Sequence, residues 1–147
     1  MLRGAVGRQR HAVSKTAHLL VFSIGGRRLA VKTEEVGGIG EWTGSVSVPS
    51  RTPFVSAIIR RDRTVFPVFD LAGMLNVRVR GTQPLCLMAK HPMGSMAIRI
   101  DEDMPVLHQL DSGAIRGYHT REFETIGSFT DEFEEIPIIS LTRLATA

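Results

Sequence analysis

The stretch VPSRTPFVSAIIRRDRTVFPVFDL, Val48 to Leu71, decides how this chain is read. It has two hydrophobic runs, Phe54–Ile59 and Thr64–Phe69, on either side of the charged tip Arg60-Arg61-Asp62-Arg63. β-branched and aromatic residues bounded by a short polar segment predict a β-hairpin. Pro67 has no N–H to give to a ladder, so the pattern places it at an edge or a bulge. Asp70 stands where an acceptor side chain would cap a short helix over Leu71–Leu75.

Before the hairpin, Leu19–Ile24 and Arg27–Val31 are hydrophobic runs separated by Gly25-Gly26, a turn signal with the freedom for positive φ at both positions. Thr33 is a candidate cap for a short turn over Lys32–Glu35. Val36–Trp42 resumes an extended pattern, and Gly37, Gly38 and Gly40 predict a bulge or close backbone approach there. Short strands at this spacing point to a small barrel or sandwich rather than a βαβ unit.

After the hairpin, Val77–Thr82 reads as a basic linker and a second strand series begins. Leu85–Ala89 and Ser95–Ile100 flank the turn His91-Pro92-Met93-Gly94. Asp101-Glu102-Asp103 breaks the pattern, Pro105–His108 extends it, and Ile115–Phe123 alternates loosely. Ile136–Ile139 is the last strand, and Ser140 is the expected cap of a closing helix, Leu141–Ala145. The chain is thus mainly β with short helices. We expect a basic, disordered tail over residues 1–16 and one domain over 17–147. Within it, subdomain 1 covers about 19–75 plus the closing helix 140–145, and subdomain 2 covers about 84–139.

The 147 residues carry a formal charge of only +3, unevenly spread. Residues 1–100 hold 15 Lys and Arg against 5 Asp and Glu; residues 101–147 hold 3 against 10. Two poles of opposite sign favour oriented partners and weak self-association. The single Cys86, inside Leu85-Cys86-Leu87-Met88, excludes an internal disulfide and reads as a buried, inert thiol. No signal peptide and no run of membrane-spanning length is present, so a cytoplasmic protein is expected.

Catalytic patterns are lacking. His11, His18, His91, His108 and His119 form no His-x-x-x-His pair, and there is no Gly-x-Ser-x-Gly and no phosphate-binding glycine loop. The acidic runs Asp101-Glu102-Asp103 and Glu132/Glu134/Glu135 lack the ligand spacing of a calcium loop and read as solvated turns. We therefore expect no enzyme activity, no cofactor and no metal. Nucleic-acid binding by a small barrel is the alternative: Arg60, Arg61, Arg63, Arg78, Arg80 and the tail would contact phosphate. Aromatic residues for base stacking are only 6% of the chain, and the acidic last third would repel a polyanion.

From Leu19 to Leu144 the order of features resembles the CheW-like domain, the coupling family of bacterial chemosensory arrays. The resemblance rests on Leu20-Val21-Phe22 and Leu29-Ala30-Val31 for the opening strands, on Pro49 and Pro53-Phe54, and on the hairpin ending Pro67-Val68-Phe69-Asp70-Leu71. Ala97-Ile98-Arg99-Ile100-Asp101 is similar to a G-L-x-V-D segment of the family, and Ile136–Leu144 to its terminal strand and helix. The resemblance implies two intertwined five-stranded SH3-like barrels. It also implies a noncatalytic adaptor in chemotaxis-type or type IV pili-like two-component signalling. The implied partners are the regulatory domain of a CheA-type histidine kinase, a methyl-accepting chemoreceptor tip and another CheW-like domain.

Departures fall at the expected contact surface. The family tip N-x-R-G is Arg60-Arg61-Asp62-Arg63 here, so Asp62 replaces an arginine and Arg63 a glycine, and the turn must differ. A family glutamate falls at Gly38. Ala57 and Ser140 replace a glycine and an aspartate. The candidate partner-binding residues are Val36, Gly38, Ile39 and Trp42 on the glycine-rich strand, with Arg60, Arg61, Asp62 and Arg63 at the tip. Trp42, the only tryptophan, is the residue type most favoured as an interface anchor. A divergent member that binds a kinase but not ordinary receptors is the expectation.

Overall fold

The computed structural model describes residues 15–145. The strands are β1 (Thr16–Ile24), β2 (Arg27–Lys32), β3 (Val36–Glu41), β4 (Val46–Ser47), β5 (Val55–Arg61) and β6 (Thr64–Phe69). After the helix α1 (Leu71–Leu75) come β7 (Leu85–Ala89), β8 (Met96–Ile100), β9 (Val106–Asp111), β10 (Gly127–Asp131) and β11 (Glu134–Ile138). Residues 1–14 of the expected basic tail lie outside the described residues, and Thr16 already belongs to β1.

The strands form two sheets. One has the order β10-β11-β2-β1-β9, the other β3-β7-β8-β6-β5-β4, and the two-residue β4 makes the second six-stranded rather than five. The expected division at the 77–82 linker is not how the strands pair. β1 and β2 join the C-terminal β9, β10 and β11, while all of β3 to β8 builds the other sheet. The reason is long-range pairing: Thr16 to Val21 align with Asp111 to Val106, and Ala30 meets Ile138 in a parallel contact. An Arg116–Ser128 bridge ties the segment after β9 to β10.

Each sheet wraps a small apolar cluster of its own. Leu19, Val21, Ala30, Phe129, Ile136 and Ile138 fill the five-stranded one. Ile59, Val68, Cys86 and Ala97 fill the six-stranded one. The largest cluster lies between them, taking Phe22 and Leu29 from one side, Phe69, Leu87 and Ile98 from the other, and Leu71 from α1. Neither sheet could bury this surface without the other, since the cluster draws on both.

Local signals held where the chemistry is local. Gly25 and Gly26 both have positive φ (63° and 79°) and close the β1–β2 hairpin. Asp70 accepts from the Gly73 N–H at 2.9 Å, and Asn76 ends α1 in the left-handed conformation. The expected bulge in β3 appears as a register shift between Val36 and Gly38. Three readings are corrected. Pro67 sits on an interior strand, tolerated because β6 pairs with β8 only at Val68–Ala97. Neither Thr33 nor Ser140 caps its turn with its side chain. The closing helix is a single 3₁₀ turn, Leu141–Arg143, and its Leu141 N–H donates to the Glu35 carboxylate at 2.6 Å.

Candidate partner-binding surface

The hairpin tip is a two-residue turn, Asp62-Arg63, between the paired Arg61 and Thr64. Positive φ falls on Asp62 (56°) and not on Arg63. Aspartate visits the left-handed region more readily than most residues, so a tip without glycine closes at low cost. The turn thus differs from a glycine-tipped one in the way the substitution at Arg63 demands.

Arg61 points back across the sheet. Its Nη1 donates to the Glu41 carbonyl at 3.2 Å, and a Cβ on Gly40 would lie 2.6 Å from its Nη2. Gly40 therefore leaves the room through which the guanidinium reaches the end of β3. That one contact joins the hairpin tip to the glycine-rich strand, two stretches separated by 20 residues. Arg60, Asp62 and Arg63 are exposed beside it. Ile39 is 37% exposed on β3, the outer strand of the sheet.

Three of the eight candidate residues are placed differently from the rest. Val36 is half-buried against the central core, five residues from Glu41 and so roughly 16 Å along the strand from the Arg61 contact. Gly38 lies at the β3 bulge, with open space where a Cβ would stand. Trp42 packs its side chain against the core of the six-stranded sheet, and its backbone N–H donates to the Pro84 carbonyl at 3.2 Å. The Arg99 guanidinium lies 5.9 Å from the Trp42 ring centroid. Trp42 is thus half lid and half wall: it borders a cleft of about 480 Å³ with Ala57, Val68 and Val79 and with Arg78 and Arg99.

Charge is distributed by sheet. Residues 36–100, which hold the six-stranded sheet, carry eight Lys and Arg against three Asp and Glu; the rest of the described chain carries seven against twelve. Intertwining moderates the second set. Arg27 meets Glu122 at 2.7 Å, Arg28 meets both Asp131 and Glu134 at 2.8 Å, and Arg143 meets Glu124 at 2.8 Å.

The acidic runs are not simple solvated turns. Asp101 is 1% exposed, and its carboxylate accepts from the N–H groups of Gly25, Gly26 and Arg80 at 2.8, 2.8 and 2.7 Å. It holds the β1–β2 turn against the linker, a role invisible in a run of three acids. Glu134 and Glu135 are engaged by Arg28 and Ser128. Burial pushes the Cys86 thiol up from its ordinary pKa, with the nearby Arg61 charge acting in the opposite direction. Among the described residues no group of three or more His, Cys, Asp or Glu could hold a metal ion, and no helix is long and apolar enough to cross a membrane.

The CheW-like domain family matches residues 18–144 of this chain. Among solved structures, the scaffolding protein TtCheW from Thermoanaerobacter tengcongensis superposes with a TM-score of 0.78 at 16% identity, covering 93% of this chain and 92% of that one. At that identity the likeness speaks for the fold. No curated protein matches by sequence.

Proposed function

The chain belongs to the CheW-like domain family, and from that premise we propose that it is a noncatalytic, cytoplasmic adaptor of a chemosensory system that binds the regulatory domain of a CheA-type histidine kinase. The observation that carries the reading is the Arg61–Glu41 contact. It brings the hairpin tip, where Arg60 and Arg63 are exposed, to the end of the outer strand β3, which carries the partly exposed Ile39 two residues before Glu41. An apolar patch rimmed by charge is the general composition of a specific protein interface.

The same surface argues against ordinary receptor coupling. Asp62 and Gly38 stand where the resemblance implies an arginine and a glutamate. A receptor tip shaped to that pair would meet the wrong charge at one position and no side chain at the other.

Calorimetric titration of the purified chain against the kinase regulatory domain, and separately against a receptor tip fragment, tests both parts. Binding to the kinase domain that weakens as salt rises, without binding to the receptor fragment, is the expected result. Tight receptor binding with no affinity for the kinase domain overturns the reading.

A further inference from the structure

Arg78 and Arg99 line the cleft beside Trp42, and among the described residues neither forms an ion pair. The ion pairs there belong to Arg27, Arg28 and Arg143. The one acid on the cleft, Asp70, already accepts from the Gly73 N–H at 2.9 Å. Two guanidiniums against one engaged carboxylate leave the cleft with an excess of positive charge.

The fold sets the position of both cations. Ile98 and Ile100, on either side of Arg99 in β8, are fully buried, at 0% exposure. Strand alternation therefore turns Arg99 to the opposite face, where its guanidinium lies 5.9 Å from the Trp42 ring centroid. Arg78 stands between Val77 and Val79, which both pack against the central core. The linker is pinned on each side of it. The Val77 N–H donates to the Ala72 carbonyl at 2.9 Å, and the Arg80 N–H to the Asp101 carboxylate at 2.7 Å. Cations and ring are thus arranged in advance, which lowers the cost of binding.

The rest of the lining is mixed. Ala57, Val68 and Val79 supply apolar wall, and Ser45 and Ser56 are the hydroxyl-bearing residues. Such a lining suits neither a purely apolar side chain nor a bare ion. It suits a small molecule with a planar face at one end and an anionic group at the other. Guanidiniums meet phosphate oxygens in a bidentate fork, and an indole offers its face to a base ring. The volume of about 480 Å³ falls in the small-ligand range of roughly 300–1,000 Å³.

We propose that this cleft binds a small phosphorylated ligand carrying a planar ring, the chemistry of a nucleoside monophosphate. The ring lies against Trp42, and Arg78 and Arg99 hold the phosphate. The site does not rest on the adaptor reading, because the chain is tested alone.

Trp42 is the only tryptophan of the chain, so its fluorescence reports on the cleft directly. Titrations of the full chain with AMP, with adenosine and with inorganic phosphate separate the ring from the anion. AMP is expected to change the Trp42 emission saturably and to bind at least about tenfold more tightly than adenosine or phosphate. Arg78→Ala and Arg99→Ala should each weaken AMP binding roughly tenfold or more, with unchanged circular dichroism. Arg121→Ala, outside the cleft, should bind AMP as the wild type does. The proposal is overturned by any of three results. One is an emission and a calorimetric trace that stay flat up to millimolar AMP. The second is adenosine or phosphate binding as tightly as AMP, and the third is either cleft variant binding AMP like the wild type.

Discussion

Asp101 holds Gly25 from 76 residues away: its Oδ1 accepts the Gly25 N–H at 2.8 Å, and the same oxygen accepts the Arg80 N–H at 2.7 Å. Oδ2 takes the Gly26 N–H at 2.8 Å. A carboxylate that is 1% exposed is tolerable only because both oxygens are occupied. Asp101→Ala would strand three donors, each costing about 1–3 kcal/mol if left unmet. We expect a loss of at least about 3 kcal/mol in urea unfolding. Asp101→Asn keeps one acceptor oxygen and should lose less.

Gly25 is fixed by the same arrangement. It has φ of 63°, and a Cβ there would sit 2.5 Å from the Val77 Cβ and 3.2 Å from the Arg78 carbonyl oxygen. Gly25→Ala therefore combines an unfavourable backbone with overpacking against a linker that Asp101 cannot release. A loss of about 2–3 kcal/mol in the same unfolding experiment is expected. Gly44→Ala, at φ of 105° with nothing within 4 Å of its Cβ, should show the backbone cost alone.

These two cases mark where the sequence could be read and where it could not. The Gly25-Gly26 turn, the Asp70 cap and the walls of the β5–β6 hairpin depend on residues within a few positions of one another, and each was legible. Asp101 has its partners 21 to 76 residues away, and Glu35 reaches Leu141 across 106. No local pattern marks either carboxylate as structural: Asp101 falls in a run that reads as a solvated turn, and Glu35 in a short turn with no expected partner.

The same limit governed the sheets and the surface. Hairpins are local, but the pairing of β1 with β9 is not, so a split into successive halves was the natural reading of two similar strand series. At the candidate site, the Arg60–Arg63 tip stood out as charge. The cleft did not, because Arg78 and Arg99 come from a linker and a strand that only the fold brings together. Phe133 was hidden for another reason: Glu-Phe is not a turn pair, so the hairpin it closes had no sequence signature.

Glu35→Ala removes the acceptor of the Leu141 N–H and a carboxylate contact of the Ser140 hydroxyl. The 3₁₀ turn Leu141–Arg143 carries Leu141 into the central core, so the loss should spread inward. We expect a destabilisation of about 1–3 kcal/mol, with faster amide exchange at Leu141 than in the wild type.

Cys86 should react slowly with thiol reagents in the native chain. Burial raises its pKa, so a smaller fraction is thiolate at a given pH than for a free cysteine. The sign of the linkage follows. The folded state holds the thiol proton more tightly than the unfolded chain, so this contribution to stability is complete below the unfolded pKa, near 8.5, and declines as pH rises above it. Unfolding titrations above that pH should show Cys86→Ala losing less stability than the wild type. Arg61→Ala removes a charge that lowers the thiol pKa and should slow labelling further.

Ile39→Asp tests the apolar centre of the proposed kinase surface. At 37% exposure on an outer strand, the side chain contributes little to the core, so the melting temperature should shift by no more than a few degrees. A carboxylate at the centre of an apolar contact would be desolvated without a partner, and binding to the kinase regulatory domain should fall roughly tenfold or more. Unchanged affinity by calorimetry would remove Ile39 from the interface.

The β10–β11 tip makes a prediction in the opposite direction. Replacing Glu132-Phe133 by the preferred turn pair, as Glu132→Asn with Phe133→Gly, relieves two residues at positive φ. No buried contact is lost, since Phe133 is fully exposed, and Arg28 still braces Asp131 and Glu134. The double variant should therefore be more stable than the wild type by about 1–3 kcal/mol in denaturant unfolding. A gain of that size would show that the wild-type tip trades stability for an exposed phenylalanine. A fall in stability would mean that the tip is not strained and that Phe133 serves the fold itself.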